Sequence, residues 1–145
     1  MRVMIFGTFD GIHEGHRYLF SKAHELAKGG RVMACIAQDS IVMMLKGHAP
    51  IRTMKQRVAG VRHHVRHVYR GDARLGPWSK IRIYKPDAIL IGYDQMRMKS
   101  QLEKDLPVMF PSLEIKLVVC GSYEPELYKS SIINQHVNKE VNHTA

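Results

Sequence analysis

Val3-Met4-Ile5-Phe6-Gly7-Thr8-Phe9-Asp10-Gly11-Ile12-His13-Glu14-Gly15-His16 is the stretch on which the fold turns. An apolar run of strand length gives way to a glycine-rich segment, and apolar residues at helical spacing follow. The stretch therefore reads as strand, tight turn and helix start. Gly7, Gly11 and Gly15 let the backbone come close to a ligand, and the free amides of a helix N-terminus favour an anion such as a phosphate. His13 and His16 lie three residues apart, so in the first turn of a helix both rings project from one side. Imidazoles and backbone amides can then share a single ligand.

Working outward, residues 17–28 place Leu19, Phe20, Ala23, Leu26 and Ala27 on one helical face, and Gly29-Gly30 supplies a left-handed C-cap. Residues 31–38 form a continuous apolar run, the pattern of a strand covered on both faces of a parallel sheet. Residues 39–50, with Met43, Met44 and Leu45 ahead of Lys46-Gly47-His48, read as a partly ordered loop ending at Pro50. Thr53 and Gln56 have capping-box spacing, and Met54, Val58, Val61 and Val65 recur at helical intervals. Residues 62–67, Arg-His-His-Val-Arg-His, read as a solvated basic helix face, because no carboxylate or thiolate stands near to complete a metal shell.

A short third strand follows at 67–70, with Gly71-Asp72 as its terminator, and Trp78, Ile81 and Tyr84 mark a helix stopped by Lys85-Pro86-Asp87. Residues 88–91, Ala-Ile-Leu-Ile, are a fourth strand. Gly92-Tyr93-Asp94-Gln95 stands at its carboxyl end, where open α/β sheets bind ligands. Residues 96–106 fit a helix and 113–121 a fifth strand. Ser130 and Ser131 then open a last helix, where hydroxyls and amides together can hold a phosphate. A single domain spanning 1–145 is expected, with 139–145 as a frayed tail. The alternation of strands and helices implies a doubly wound parallel sheet with helices on both faces. In such a sheet the loops after the first and fourth strands meet, which brings 7–16 beside 92–95.

Composition narrows the function classes. No apolar stretch approaches the ~20 residues of a membrane helix, so a soluble cytoplasmic protein is expected. Cys35 and Cys120 sit in apolar runs and read as buried, reduced thiols, while the absence of C-x-x-C spacing disfavours zinc. The 22 Lys+Arg against 13 Asp+Glu give a formal net charge of +9, a field attractive to any polyanion. Nucleic acid and nucleoside triphosphate both qualify. Arg62, Arg66 and Arg70 have no aromatic platform interleaved, so nucleic-acid binding is expected to be weak and non-specific.

The opening turn resembles the cytidylyltransferase-like nucleotidyltransferase family, whose signature G-T-F-D-x-x-H-x-G-H is matched at every fixed position by Gly7, Thr8, Phe9, Asp10, His13, Gly15 and His16. The resemblance implies a Rossmann-like nucleotidyltransferase fold, a five-stranded sheet of order 3-2-1-4-5. It also implies that Lys46, in the K-G segment after the second strand, meets the phosphates. Arg57 corresponds to the arginine of the family's E-R pair, with Gln56 in place of the glutamate, and is a partial match for a ligand contact. The K-P-D strand followed by Gly92-Tyr93-Asp94-Gln95 resembles the archaeal-type FAD-synthase branch and places Gly92, Asp94 and Gln95 at the nucleotide. Lys129, Ser130 and Ser131 match only the end of the R-T-E-G-I-S-T-T motif that grips the triphosphate in glycerol-phosphate members, and the task of its arginine is left unassigned.

No nucleophile of the Ser-His-Asp or Cys-His type accompanies these residues, so direct displacement is implied. The acceptor's phosphate attacks the α-phosphorus of a nucleoside triphosphate and pyrophosphate leaves, with catalysis by positioning and charge stabilisation. His13 and His16 would donate to the α-phosphate and the leaving bridge oxygen, and Lys46 and Ser131 would hold the flanking phosphates. Mg²⁺, held mainly by the phosphates, is the implied cofactor. The resemblance favours AMP transfer from ATP to FMN. Transfer from CTP to glycerol 3-phosphate or a similar phospho-alcohol, and a non-catalytic basic nucleic-acid-binding or regulatory protein, stay open as alternatives. The expected assembly is a homodimer.

Overall fold

Ten elements alternate through the computed structural model, which describes residues 1–121. They are β1 (Arg2–Gly7), α1 (Glu14–Ala27), β2 (Arg31–Ile36), α2 (Asp39–Lys46), α3 (Met54–Arg62), β3 (His67–Arg70), α4 (Ser79–Tyr84), β4 (Ala88–Ile91), α5 (Met96–Met109) and β5 (Lys116–Val119). The five strands form one sheet in the order β3-β2-β1-β4-β5. Every pairing is parallel, with Arg2 opposite Arg31, Met33 opposite His67 and Ala88 opposite Lys116. None of the described helices is long and apolar enough to cross a membrane.

Because successive strand residues point to opposite faces, the central strand feeds two cores. Val3 and Ile5 pack with Leu19, Phe20, Ala23, Val61 and Val65 on the side of α1 and α3. Met4 packs with Met33, Ile81, Ile89, Leu102 and Phe110 on the side of α4 and α5. Cys120 belongs to the first core and Cys35 to the second, so the two thiols stand on opposite sides of the sheet; both are buried and neither forms a disulfide. Burial pushes the Cys35 thiol up to about 12, which keeps it protonated and inert at neutral pH.

Local chemistry explains most boundaries, and six differ from the sequence reading. Residues 39–46 are a helix, not a loop: Gln38 starts it without a side-chain cap, and Gly47, at φ 78°, closes it. Its apolar residues are split between buried Ile41 and Val42 and exposed Met43, Met44 and Leu45, which blurs the periodicity. The left-handed cap of α1 is Lys28 (φ 50°), one residue ahead of Gly29. α5 runs on through Pro107 to Met109, while β2 and β5 are shorter than the apolar runs that contain them. Finally, α3 stops at Arg62, so residues 62–67 are not one helix face; Val65 is buried in the turn that delivers His67 into β3. Thr53 and Gln56 do form the reciprocal capping box, with bonds of 3.1 and 2.9 Å.

Candidate active site

β1 ends at Gly7, and the chain must reverse within six residues to begin α1 at Glu14. Phe9 takes up a left-handed conformation (φ 52°), which a bulky residue adopts only when its surroundings compel it. Burial compels it here: the ring is 3 % exposed, lies 5.5 Å from Phe20 and sits 5.3 Å from His16. Phe9 is thus a floor beneath His16, and only its backbone is left for a ligand. Gly11 follows at φ +93°, and a Cβ there would stand 2.8 Å from the Arg52 guanidinium.

His13 is the N-cap of α1. Its Nδ1 accepts the Gly15 backbone N–H at 3.0 Å, while Nδ1 of His16 accepts the His13 N–H at 3.3 Å. This is a capping box built from two histidines in place of the usual hydroxyl and carboxamide. The rings stack with centroids 3.8 Å apart. An Nδ1 that accepts an N–H carries no proton of its own, so in each neutral ring the proton sits on Nε2. Both imidazoles therefore offer an N–H donor at the positive end of a 14-residue helix. The His16 imidazole is pushed down to about 4, chiefly by burial and then by the neighbouring His13. At neutral pH it is an uncharged donor, suited to an anion without competing as an acid. Gly15 has to be small: a Cβ would approach Cε1 of His13 to 2.9 Å.

Two distant segments reach this pair. Asp94, beyond the end of β4, and Lys46, in the last turn of α2, both act electrostatically on the His16 ring, in opposite directions. Both side chains are exposed. Gln95 joins the strands where β1 and β4 part. Its Oε1 accepts the Gly92 N–H at 2.8 Å and its Nε2 donates to the Phe6 carbonyl at 2.8 Å. Gln95 and Gly92 therefore shape the crevice between the strand ends, and Asp94 is the carboxylate left facing it.

Asp10 and Arg57 are engaged within the protein. The Asp10 carboxylate accepts the Ile51 and Arg52 N–H groups at 2.8 and 2.9 Å. Its pKa is lowered, first by the Ile51 bond, and Arg52 donates back to the Asp10 carbonyl at 3.2 Å. Arg57 is 1 % exposed. It donates to the carbonyls of Thr8 (2.9 Å), Ala37 (2.8 Å) and Arg52 (3.3 Å) and to the Asp39 carboxylate (2.6 Å). A single guanidinium thus ties the turns after β1 and β2 to the entry of α3. Arg52 was not singled out from sequence, since nothing in Pro50-Ile51-Arg52 marks it except its distant partner. Lys129, Ser130 and Ser131 lie outside the described residues.

The arrangement offers two stacked N–H donors, a helix N-terminus, a lysine and a carboxylate around one crevice, a donor set for phosphoryl oxygens. Residues 4–135 match the family model described as Cytidylyltransferase-like. Among curated relatives, a FAD synthase of Thermococcus kodakarensis is 30 % identical over 132 residues, covering 90 % of this chain and 83 % of its own. A FAD synthase of Methanosphaera stadtmanae is 34 % identical over 124 residues, covering 83 % and 81 %. Among solved structures, a lipopolysaccharide core biosynthesis protein from Thermoplasma volcanium superposes with a TM-score of 0.70 at 26 % identity, covering 86 % of this chain and 98 % of its own.

Proposed function

The chain belongs to the cytidylyltransferase-like family of nucleotidyltransferases, and from that premise we propose that it transfers AMP from ATP onto the phosphate of FMN, forming FAD and pyrophosphate. The observation that carries this reading is the stacked His13–His16 pair, with each Nδ1 occupied by a backbone amide, in a chain whose relatives are FAD synthases. An FMN phosphate oxygen attacks the α-phosphorus of ATP. The bond from the α-phosphorus to the bridging oxygen breaks, and the electron pair departs with pyrophosphate. A phosphate dianion is already a nucleophile, so no general base is required. The two Nε2–H groups and the α1 amides stabilise negative charge on the α-phosphoryl and bridging oxygens, while Lys46 neutralises the flanking phosphates. Lys129, Ser130 and Ser131, matched to the end of the family's triphosphate motif, would bind the triphosphate.

Mg²⁺ fits this site as a cation carried in by the nucleotide, because Mg²⁺ takes phosphate oxygens, waters and one or two carboxylates. Asp94 is the carboxylate that can join it, since both oxygens of Asp10 already accept backbone amides. When bound, Mg²⁺ would supply neutralisation of phosphate charge. The exposed apolar run Met43, Met44 and Leu45 on α2 supports a homodimer.

The test is pyrophosphate release from four nucleoside triphosphates, each paired with FMN and with glycerol 3-phosphate. ATP with FMN should turn over and yield FAD. Turnover confined to CTP with glycerol 3-phosphate would transfer the reading to a cytidylyltransferase, and release with no pair would leave a non-catalytic nucleotide- or nucleic-acid-binding protein.

A further inference from the structure

We propose that a basic depression at the end of the sheet opposite the crevice, bounded by His24, Arg31, Arg66 and His67, is a second anion site that takes a small phosphorylated ligand. α1 returns antiparallel to the strands, so its last turn, with His24, lies beside the first residues of β2 and β3, Arg31 and His67. The cavity there has a volume of about 390 Å³ and is completed by Gly30, Val32 and Arg66. Six residues of strand separate it from the carboxyl end of β2, ~20 Å at about 3.3 Å per residue. A ligand of ordinary size cannot occupy both places.

Three observations select an anion. The six lining residues comprise two arginines, two histidines, a glycine and a valine, with no carboxylate. Among the described residues Arg31 and Arg66 have no acidic partner, a condition they share with Arg62, Arg70, Arg74, Arg82 and Arg97, but here two such groups border one cavity. Both uncompensated guanidinium groups also act on one ring: His67 is lowered by burial first and then by Arg31 and Arg66. His24 is already fixed, its Nε2 donating to the His64 carbonyl at 2.8 Å. Paired guanidinium forks suit the tetrahedral oxygens of a phosphate. A nucleic acid is a poorer occupant, because no phenylalanine, tyrosine or tryptophan lines the cavity as a stacking platform for bases.

The experiment is a carbon-13 NMR titration of the histidine rings with inorganic phosphate and with pyrophosphate, at pH 7 and ionic strength held constant with chloride. Saturable shifts of the His24 and His67 rings are expected in the wild type and in His16→Ala, with Kd raised at least tenfold in the Arg31→Ala/Arg66→Ala double variant. Both arginines are exposed, so the variant should fold, as its circular dichroism will record. The Arg31→Lys/Arg66→Lys protein, which keeps the charge and loses the forks, should bind with intermediate strength. Shifts confined to His13 and His16, shifts reproduced by chloride, an unaltered Kd in either double variant, or binding only of an oligonucleotide would overturn the proposal.

Discussion

Replacing Arg57 by alanine removes a charged group with four hydrogen bonds from a place water does not reach. Breaking a buried pair by deleting one partner usually costs ~3 to 5 kcal/mol. Here the carboxylate partner is 62 % exposed, so water resolvates Asp39 once the arginine is gone. The loss therefore falls on the carbonyls of Thr8, Ala37 and Arg52, at ~1 kcal/mol or more for each buried acceptor left without its donor. A destabilisation of about 3 to 4 kcal/mol follows. In a domain of this size that lowers Tm by roughly 10 °C, at ~2 to 4 °C per kcal/mol. Urea unfolding should show the midpoint falling without a change in slope, and turnover should fall too because the Thr8 turn is released. Asp39→Ala should cost less than Arg57→Ala, because the guanidinium keeps its three carbonyl acceptors, but more than the ~1 kcal/mol of an exposed ion pair, because a buried cation loses its counter-charge. Arg57→Lys should also be milder than Arg57→Ala. The reasoning fails if Arg57→Ala lies within 1 kcal/mol of wild type, or if Asp39→Ala is as damaging.

His16→Ala should lower kcat by ~10² to 10³, as for loss of one transition-state donor, with a near-normal melting curve; unchanged kcat would remove His16 from the chemistry. The depressed pKa of His16 also sets a pH dependence. Between about 6.5 and about 4 the unfolded chain binds a proton that the folded protein does not, so this residue's contribution to stability falls with pH across that window and is lost below it. Urea midpoints at pH 7 and pH 4.5 should therefore differ less in His16→Ala than in wild type, and an equal difference would contradict the shift. Gly15→Ala should displace the His13 ring and reduce kcat more than stability, checked by kinetics beside a thermal melt; wild-type kcat would mean that the ring position is immaterial. Asp94→Ala should raise KM for ATP and its Mg²⁺ requirement, and a magnesium titration that matches wild type would exclude the carboxylate from the crevice.

Alternation in the sequence determined the architecture because its signals are local. Strand runs, the Thr53–Gln56 capping box and the glycine-rich turn each act within a few residues, and handed crossovers leave few ways to assemble them. The meeting of 7–16 with 92–95 followed from that topology, and in the structure Gln95 donates to the Phe6 carbonyl across the parting strands. The α2 helix escaped notice because exposed Met43, Met44 and Leu45 conceal its buried side, and no capping side chain marks its start. Tertiary structure alone decided which polar residues of the motifs hold the protein together. Asp10, Arg57 and Gln95 look like ligand contacts in a motif, yet their partners lie 41, 49 and 89 residues away. A buried donor or acceptor must be satisfied by whatever the fold brings near it, and proximity across such distances is a property of the packed sheet, invisible in any window of sequence.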